Sequence, residues 1–217
     1  MTNRGFDFYF DPISPFSYLA TTQIDRIAGK HHRTAHWHPV LVGVTITKVM
    51  GLKPIPETPL KSGYSWMDAE RQAAMLDVPL RRHGLKNINS LAVCRAYLWL
   101  RDREPQMAQQ FVRHASAALW VDGRDITPPE FAVSEAAALG ADANQLQLAL
   151  RSPEIKEMLA REVDAAIARG VFGVPFFFVD GEALWGCDRL WMLDFRLAHG
   201  RWPTKLDWEK MIDSTSL

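Results

Sequence analysis

Two hydroxyls stand where a chain of this pattern would place its chemistry. Ser14 and Ser17 are spaced i, i+3 in Ser14-Pro15-Phe16-Ser17, directly after the apolar run Phe6-Asp7-Phe8-Tyr9-Phe10. That run reads as a strand ended by Asp11-Pro12. From Pro15 the apolar positions Phe16, Tyr18, Leu19, Ile24 and Ile27 predict a helix, with Gly29 as its stop. A cysteine pair at this spacing, on the N-terminus of a helix, would be a redox centre with a lowered thiol pKa. Serine forms no disulfide, and its hydroxyl is too weak an acid to stand in for a thiolate. It can, however, donate a hydrogen bond to a thiolate that arrives from outside, at the positive end of the helix. Ser14 is also ordinary punctuation, a serine cap followed by proline at the first helical position. The two roles are compatible.

The elements that must position this junction follow from the rest of the chain. Residues 34–41 read as a second strand, so strand, helix and strand form a parallel unit with a right-handed crossover. After a Pro- and Gly-rich loop at 51–59, helical patterns run from Ser65 to about Gly170, with segments at 66–83, 90–103, 106–121, 128–138 and 144–150. Thr127-Pro128-Pro129-Glu130 and Ser152-Pro153-Glu154-Ile155 both read as helix starts, with Thr127 and Ser152 as caps. Residues 174–179 return to a strand, Asp180-Gly181 makes a tight hairpin turn, and Ala183-Leu184-Trp185 is its partner. Asp188 is then expected to cap a helix running through Asp194 to about Ala198. This order predicts an α/β fold, a thioredoxin-like domain (1–42 and 152–217) interrupted by a mostly helical insertion domain (43–151).

Composition narrows the classes of function. Lys plus Arg and Asp plus Glu each total 25, so no basic surface is available for phosphate neutralisation and nucleic acid is not an expected partner. No apolar run reaches the roughly 20 residues that span a bilayer. The opening Met1-Thr2-Asn3-Arg4-Gly5 lacks the apolar core of an export signal, which makes the cytoplasm the expected compartment. The two cysteines, Cys94 and Cys187, are then expected as reduced thiols outside any Cys-x-x-Cys pair. His36 and His38 share a strand face near His31-His32, but no matching Cys or carboxylate spacing accompanies them, so no metal is expected. Neither a phosphate-binding Gly-rich loop nor a Gly-x-Ser-x-Gly elbow occurs. The eight tryptophans fall mostly at helical spacings and read as core.

Three separated motifs carry a resemblance: residues 8–20, from Phe8-Tyr9-Phe10-Asp11 through Ser14-Pro15-Phe16-Ser17; Gly170-Val171-Phe172-Gly173-Val174-Pro175; and Trp185-Gly186-Cys187-Asp188-Arg189-Leu190. Together the chain resembles the 2-hydroxychromene-2-carboxylate isomerase family, relatives of kappa-class glutathione transferases and bacterial disulfide oxidases. The resemblance runs nearly end to end and is weaker across the helical insertion.

The resemblance implies glutathione as a cosubstrate regenerated at each turnover. Ser14 would contact its sulfur as an activator rather than as a covalent nucleophile. Pro175 would be cis, and the Val174 main chain would hold the cysteinyl unit in a short ladder. Trp185, Gly186, Cys187 and Asp188 would meet the remaining polar groups. Cys187 departs from the family, which carries a polar residue there. The acceptor implied is an aromatic 2-oxo acid. Lys48 is the candidate cation for its carboxylate, and Trp37, Tyr64, Trp66 and Asn89 are candidate walls. Gly51-Leu52-Lys53-Pro54 also departs from the family's Gly-Asn-x-Pro. The implied reaction adds the thiolate to a conjugated carbon, allows rotation about the resulting single bond, and eliminates glutathione with the alkene geometry changed. That is a step in the breakdown of naphthalene-like aromatics. By analogy the chain would form a homodimer. Two alternatives share these residues: a kappa-like transferase or peroxidase using the same thiol site, and a non-catalytic module binding extended peptides beside Pro175.

Overall fold

The computed structural model describes residues 5–214. Met1–Arg4, on which the expectation of no export signal partly rests, lie outside the described residues. The chain opens with β1 (Phe6–Phe10), α1 (Pro15–Lys30) and β2 (Ala35–Pro39). A π-helical turn follows at Gly43–Val49, and then come α2 (Lys61–Met75), α3 (Leu91–Arg101), α4 (Pro105–Trp120), α5 (Pro129–Ala138), α6 (Ala143–Arg151) and α7 (Pro153–Ala168). The chain closes with β3 (Phe176–Val179), β4 (Glu182–Trp185), a 3-10 turn at Cys187–Arg189, α8 (Leu190–His199) and α9 (Lys205–Ser214). The sheet order is β2-β1-β3-β4, with β1 and β2 parallel and the other pairs antiparallel. This is the thioredoxin-like arrangement the sequence predicts, with helices inserted between β2 and α7. Among the described residues no helix is long and apolar enough to cross a membrane.

Register decides what meets at the site. Phe10 pairs with Pro39, Tyr9 with Phe176, and Phe176 with Trp185. The C-terminal ends of β1, β2 and β4 and the start of β3 therefore lie at one end of the sheet. The loops leaving that end carry Ser14, Val42 to Lys48, Val174-Pro175 and Gly186 to Asp188.

One buried cluster runs from the sheet (Phe8, Phe10, Trp37, Phe177) through α1 (Leu19, Ile24) into α3 and α4 (Tyr97, Leu98, Phe111), so the inserted helices share the core of the sheet. On another face a charged network joins strands to helices. His38 bridges Asp7 (2.9 Å) and Glu162 (3.3 Å), Arg101 pairs with Glu162, and Arg169 pairs with Asp7 and with the Tyr9 hydroxyl. Burial pushes Asp7 and Glu162 upward, but the hydrogen bonds from Arg169, His38 and Arg101 outweigh it and hold both carboxyls below their usual range.

Three local expectations are corrected. The segment expected as a helix at 66–83 is helical only over Lys61–Met75 and then becomes a strap without regular structure. Asp77 takes a positive φ of 53°, and Val78 precedes Pro79, which disfavours the helical region. Thr127 does not cap α5, because its hydroxyl accepts the Asn89 N–H and Pro128 stands at the cap without a side-chain bond. Asp188 does not cap α8; it lies within the 3-10 turn and pairs with Arg189 at 2.6 Å. Ser152, by contrast, caps α7 as predicted, accepting the Ile155 N–H.

Candidate active site

The site is built from the loop that leaves β1. Ser14 is the N-cap of α1, and its Oγ accepts the Ser17 N–H at 3.2 Å. That bond uses a lone pair and leaves the hydroxyl proton uncommitted, since Ser14 donates to no described residue. The Phe16 N–H, in the first turn of α1, has no partner among the described residues, so the positive end of the helix remains open beside that hydroxyl. Ser17 is buried at 1% exposure, and its Oγ accepts the Asp11 N–H at 3.4 Å. Its role is to hold the loop.

Beneath the loop lies a carboxyl that the sequence reading treats only as a strand end. Asp11 is fully buried. One of its oxygens accepts the Ile13 N–H at 3.1 Å and the other accepts the Val42 N–H at 2.9 Å. The same side chain thus pins the approach to Ser14 and the entrance to the π-helical turn bearing Lys48. Burial pushes the Asp11 carboxyl up to about 6 despite these two bonds. The buried Ser90 hydroxyl is close enough to lower that value, yet it lies outside hydrogen-bond geometry. The signal available in the sequence is the acid placed three residues before Ser14.

The other walls come from the opposite half of the sheet. The Val174-Pro175 bond is cis. The Pro175 carbonyl accepts the Gly186 N–H at 3.0 Å, which ties the two loops together, while the Val174 N–H and C=O have no partner among the described residues. Trp185 is 46% exposed at the end of β4. Gly186 takes φ 112°, a conformation that costs a residue with a Cβ dearly, and a Cβ there would overlap the Asp188 carboxylate. The following 3-10 turn packs against α1.

Cys187 points the other way. Its side chain is buried, and burial, with help from Asp188 and Asp68, pushes the thiol up to about 12, so it stays protonated and cannot reach a ligand. Cys94 is likewise a buried free thiol, raised well above its ordinary value by burial.

The expected acceptor residues are dispersed. Trp37 is a core residue, 3% exposed, packed edge-on against Phe8 and Phe10, so it lines no open pocket. Asn89 is occupied at the start of α3, where its side-chain oxygen accepts the Leu91 N–H. Tyr64 projects from the first turn of α2, 60% exposed. Lys48 is exposed and unpaired among the described residues. One residue absent from the sequence expectation meets the loop directly, and it packs on the expected wall residue Trp66. Trp120, at the end of α4, donates its indole N–H to the Pro12 carbonyl at 2.9 Å and stacks with Trp66. A polar groove of about 480 Å³, lined in part by Asp7, His36, Arg169 and Asp180, opens at the opposite end of the sheet and belongs to none of this.

Comparisons with known proteins show the family. A family model described as the DsbA-like thioredoxin domain matches residues 6–198. The chain is 31% identical over 191 residues to a 2-hydroxychromene-2-carboxylate isomerase of Pseudomonas putida, covering 87% of this chain and 91% of that protein. It is 28% identical over 204 residues to glutathione S-transferase kappa 1 of Homo sapiens, covering 88% and 89%. A solved 2-hydroxychromene-2-carboxylate isomerase superposes with a TM-score of 0.81 at 27% identity, covering 98% of this chain and all of the other.

Proposed function

Since the chain belongs to the DsbA-like thioredoxin family, on its 2-hydroxychromene-2-carboxylate isomerase branch, we propose that it is a glutathione-dependent isomerase of an unsaturated aromatic 2-oxo acid. The observation that carries this reading is the Ser14 hydroxyl, which is held by the cap bond to Ser17 with its proton free. The donors around it suit a tripeptide thiol. Ser14 and the open first turn of α1 would hold the sulfur as thiolate, the Val174 main chain would pair with the peptide backbone, and the turn from Trp185 to Asp188 would meet charged ends. Glutathione, when bound, supplies a nucleophile that can add to a conjugated double bond and leave again.

The chain's own contribution is ionisation and orientation. The Ser14 O–H donates to negative charge on sulfur, and the α1 dipole favours the same charge state. Asp11 keeps the loop rigid so that this donor does not have to reorganise. The Asp188–Arg189 pair places both signs of charge beside the Gly186 turn, matching a group that carries an amine and a carboxylate. Lys48 is available to an acceptor carboxylate.

Ser14→Ala tests the reading. Turnover of hydroxychromene carboxylate to its ring-opened enone, followed by absorbance, should fall by about 10²–10³, the usual loss for one donor aimed at developing charge. Glutathione binding by calorimetry should weaken by less than about tenfold, because the main-chain contacts remain. Wild-type turnover in the variant refutes the role of Ser14. If the wild type binds no glutathione at millimolar concentration, the whole reading fails. Accumulation of a glutathione adduct without regeneration would move the activity to the transferase class, which the similarity to the human kappa protein favours as the alternative.

A further inference from the structure

The strap at 78–90 and the end of α4 build an aromatic and cationic surface against the Ser14 loop. Trp66 on α2 and Trp120 on α4 stack with ring centroids 6.1 Å apart and planes 29° apart. Both are half-buried, so part of each ring stays within reach of solvent. The guanidinium of Arg82 lies over the Trp66 ring, 5.7 Å from its centroid. Arg82 is exposed and has no hydrogen-bond or ion-pair partner among the described residues.

Three hydrogen bonds hold this cluster: one to the active loop, one between strap and α4, and one between strap and α1. The Trp120 indole N–H donates to the Pro12 carbonyl at 2.9 Å, the Arg81 N–H donates to the Trp120 carbonyl at 2.8 Å, and the Tyr18 hydroxyl on the first turn of α1 donates to the Pro79 carbonyl at 3.1 Å. Pro12 stands two residues before Ser14, so at most about 7 Å of main chain lies between the residue that holds the indole and the one that bears the hydroxyl.

We propose that Trp66, Trp120 and Arg82 form the acceptor subsite, in which the aromatic ring of the substrate packs on the tryptophan pair and its carboxylate meets the Arg82 guanidinium. The inference rests on the proposed isomerase reading for the reaction, but not for the ligand class, which is a planar aryl carboxylate. The chemistry of the surface selects this class. Indole faces recognise flat apolar rings, and an unneutralised guanidinium presents a planar fork of donors that matches a carboxylate. Lys48, the cation expected from sequence, has no aromatic ring packed with it among the described residues, so it offers the charge without the platform. Asp122, whose charge helps raise the Tyr18 hydroxyl, and Asp68, two residues from Trp66 on α2, form no ion pair with Arg82 among the described residues.

The test separates the subsite from the reaction. Arg82 is exposed, so Arg82→Gln should fold normally. It should raise KM for hydroxychromene carboxylate about tenfold, the loss expected for one charge-assisted contact, while glutathione affinity stays within twofold. Arg82→Lys should recover most of that loss, which a merely structural role would not predict. Trp66→Leu should raise the same KM. In parallel, wild type titrated calorimetrically with 2-naphthoate should bind it, and Arg82→Gln should weaken that binding by a similar factor. Turnover in wild type with an unchanged acceptor KM in Arg82→Gln and Trp66→Leu overturns the subsite and leaves the isomerase reading standing. Arg82-dependent naphthoate binding without wild-type turnover retains the subsite and removes the reaction. Failure of naphthoate to bind overturns the subsite in either case.

Discussion

At the scale of single residues, the candidate site joins a half-buried donor to a buried acid. Ser14 is the residue whose type and place announce chemistry. Asp11 is hidden beneath it, with each carboxylate oxygen holding a backbone N–H. Its raised proton affinity gives a signed prediction. The folded carboxyl titrates at about 6, against 3.8 when unperturbed. Below pH 4 both folded and unfolded chains hold the proton. Between pH 4 and 6 the unfolded chain ionises first, so stability falls as pH rises, by roughly 2–3 kcal/mol in total, and the slope ends above pH 6. Asn has no such ionisation. In urea melts the stability of wild type relative to Asp11→Asn should therefore decline by about 2–3 kcal/mol from pH 4 to pH 7. A difference that stays constant across that range would show that Asp11 does not titrate there.

At the scale of elements, caps and turns decide which backbone groups remain available. α1 begins where Ser14 satisfies one amide of the first turn and leaves another open. The hairpin of β3 and β4 works through main-chain geometry. Gly186 sits at φ 112° and donates to the Pro175 carbonyl, so the Asp188 turn is fixed to the loop that offers the Val174 backbone. Gly186→Ala forces a Cβ into a region only glycine occupies freely and into the Asp188 carboxylate. The expected outcome is a loss of about 1–3 kcal/mol in unfolding free energy. Glutathione affinity by calorimetry should fall by at least tenfold while the Ser14 cap stays intact. Retained affinity in a folded variant would take the Gly186 turn out of the binding site. The misread caps carry the same lesson. Thr127 and Asp188 have the right types for capping, but competing partners, the Asn89 amide and Arg189, claim their side chains.

At the scale of the whole molecule, four chain segments distant in sequence converge at one end of a four-stranded sheet, supported by a core shared between sheet and inserted helices. A ligand that bridges those segments should stabilise the entire fold. At a hundred times its dissociation constant, glutathione should add about 2.7 kcal/mol. For a chain of this size that is a rise of roughly 5–10 °C in the unfolding midpoint. S-methylglutathione, which cannot present a thiolate to Ser14, should give a smaller rise in the same thermal scan. Equal shifts from the two compounds would detach recognition from the sulfur, and no shift from either would leave the converging loops without this ligand.

Local rules were enough for the strands at Phe6 and Phe176, the helix at Pro15, the hairpin turn at Asp180-Gly181, the Ser152 cap, and the absence of a redox pair at Ser14 and Ser17. Each depends on neighbours within a few residues, where spacing, proline and glycine act directly on backbone geometry. The sequence also carried the family resemblance, because its motifs fall on those same short stretches. Tertiary structure alone decided that Asp11 is sealed beneath the loop, that Trp37 and Cys187 face the core, that Asn89 is spent on a helix start, and that Trp66, Trp120 and Arg82 meet beside Pro12. These outcomes depend on which side chains arrive from far along the chain. Burial and hydrogen bonding are settled by that convergence, and residue type by itself leaves it open. The Ser14 hydroxyl belongs to both accounts: sequence placed it at a helix start, and the fold brought the Val174 backbone and the Gly186 turn to the same end of the sheet.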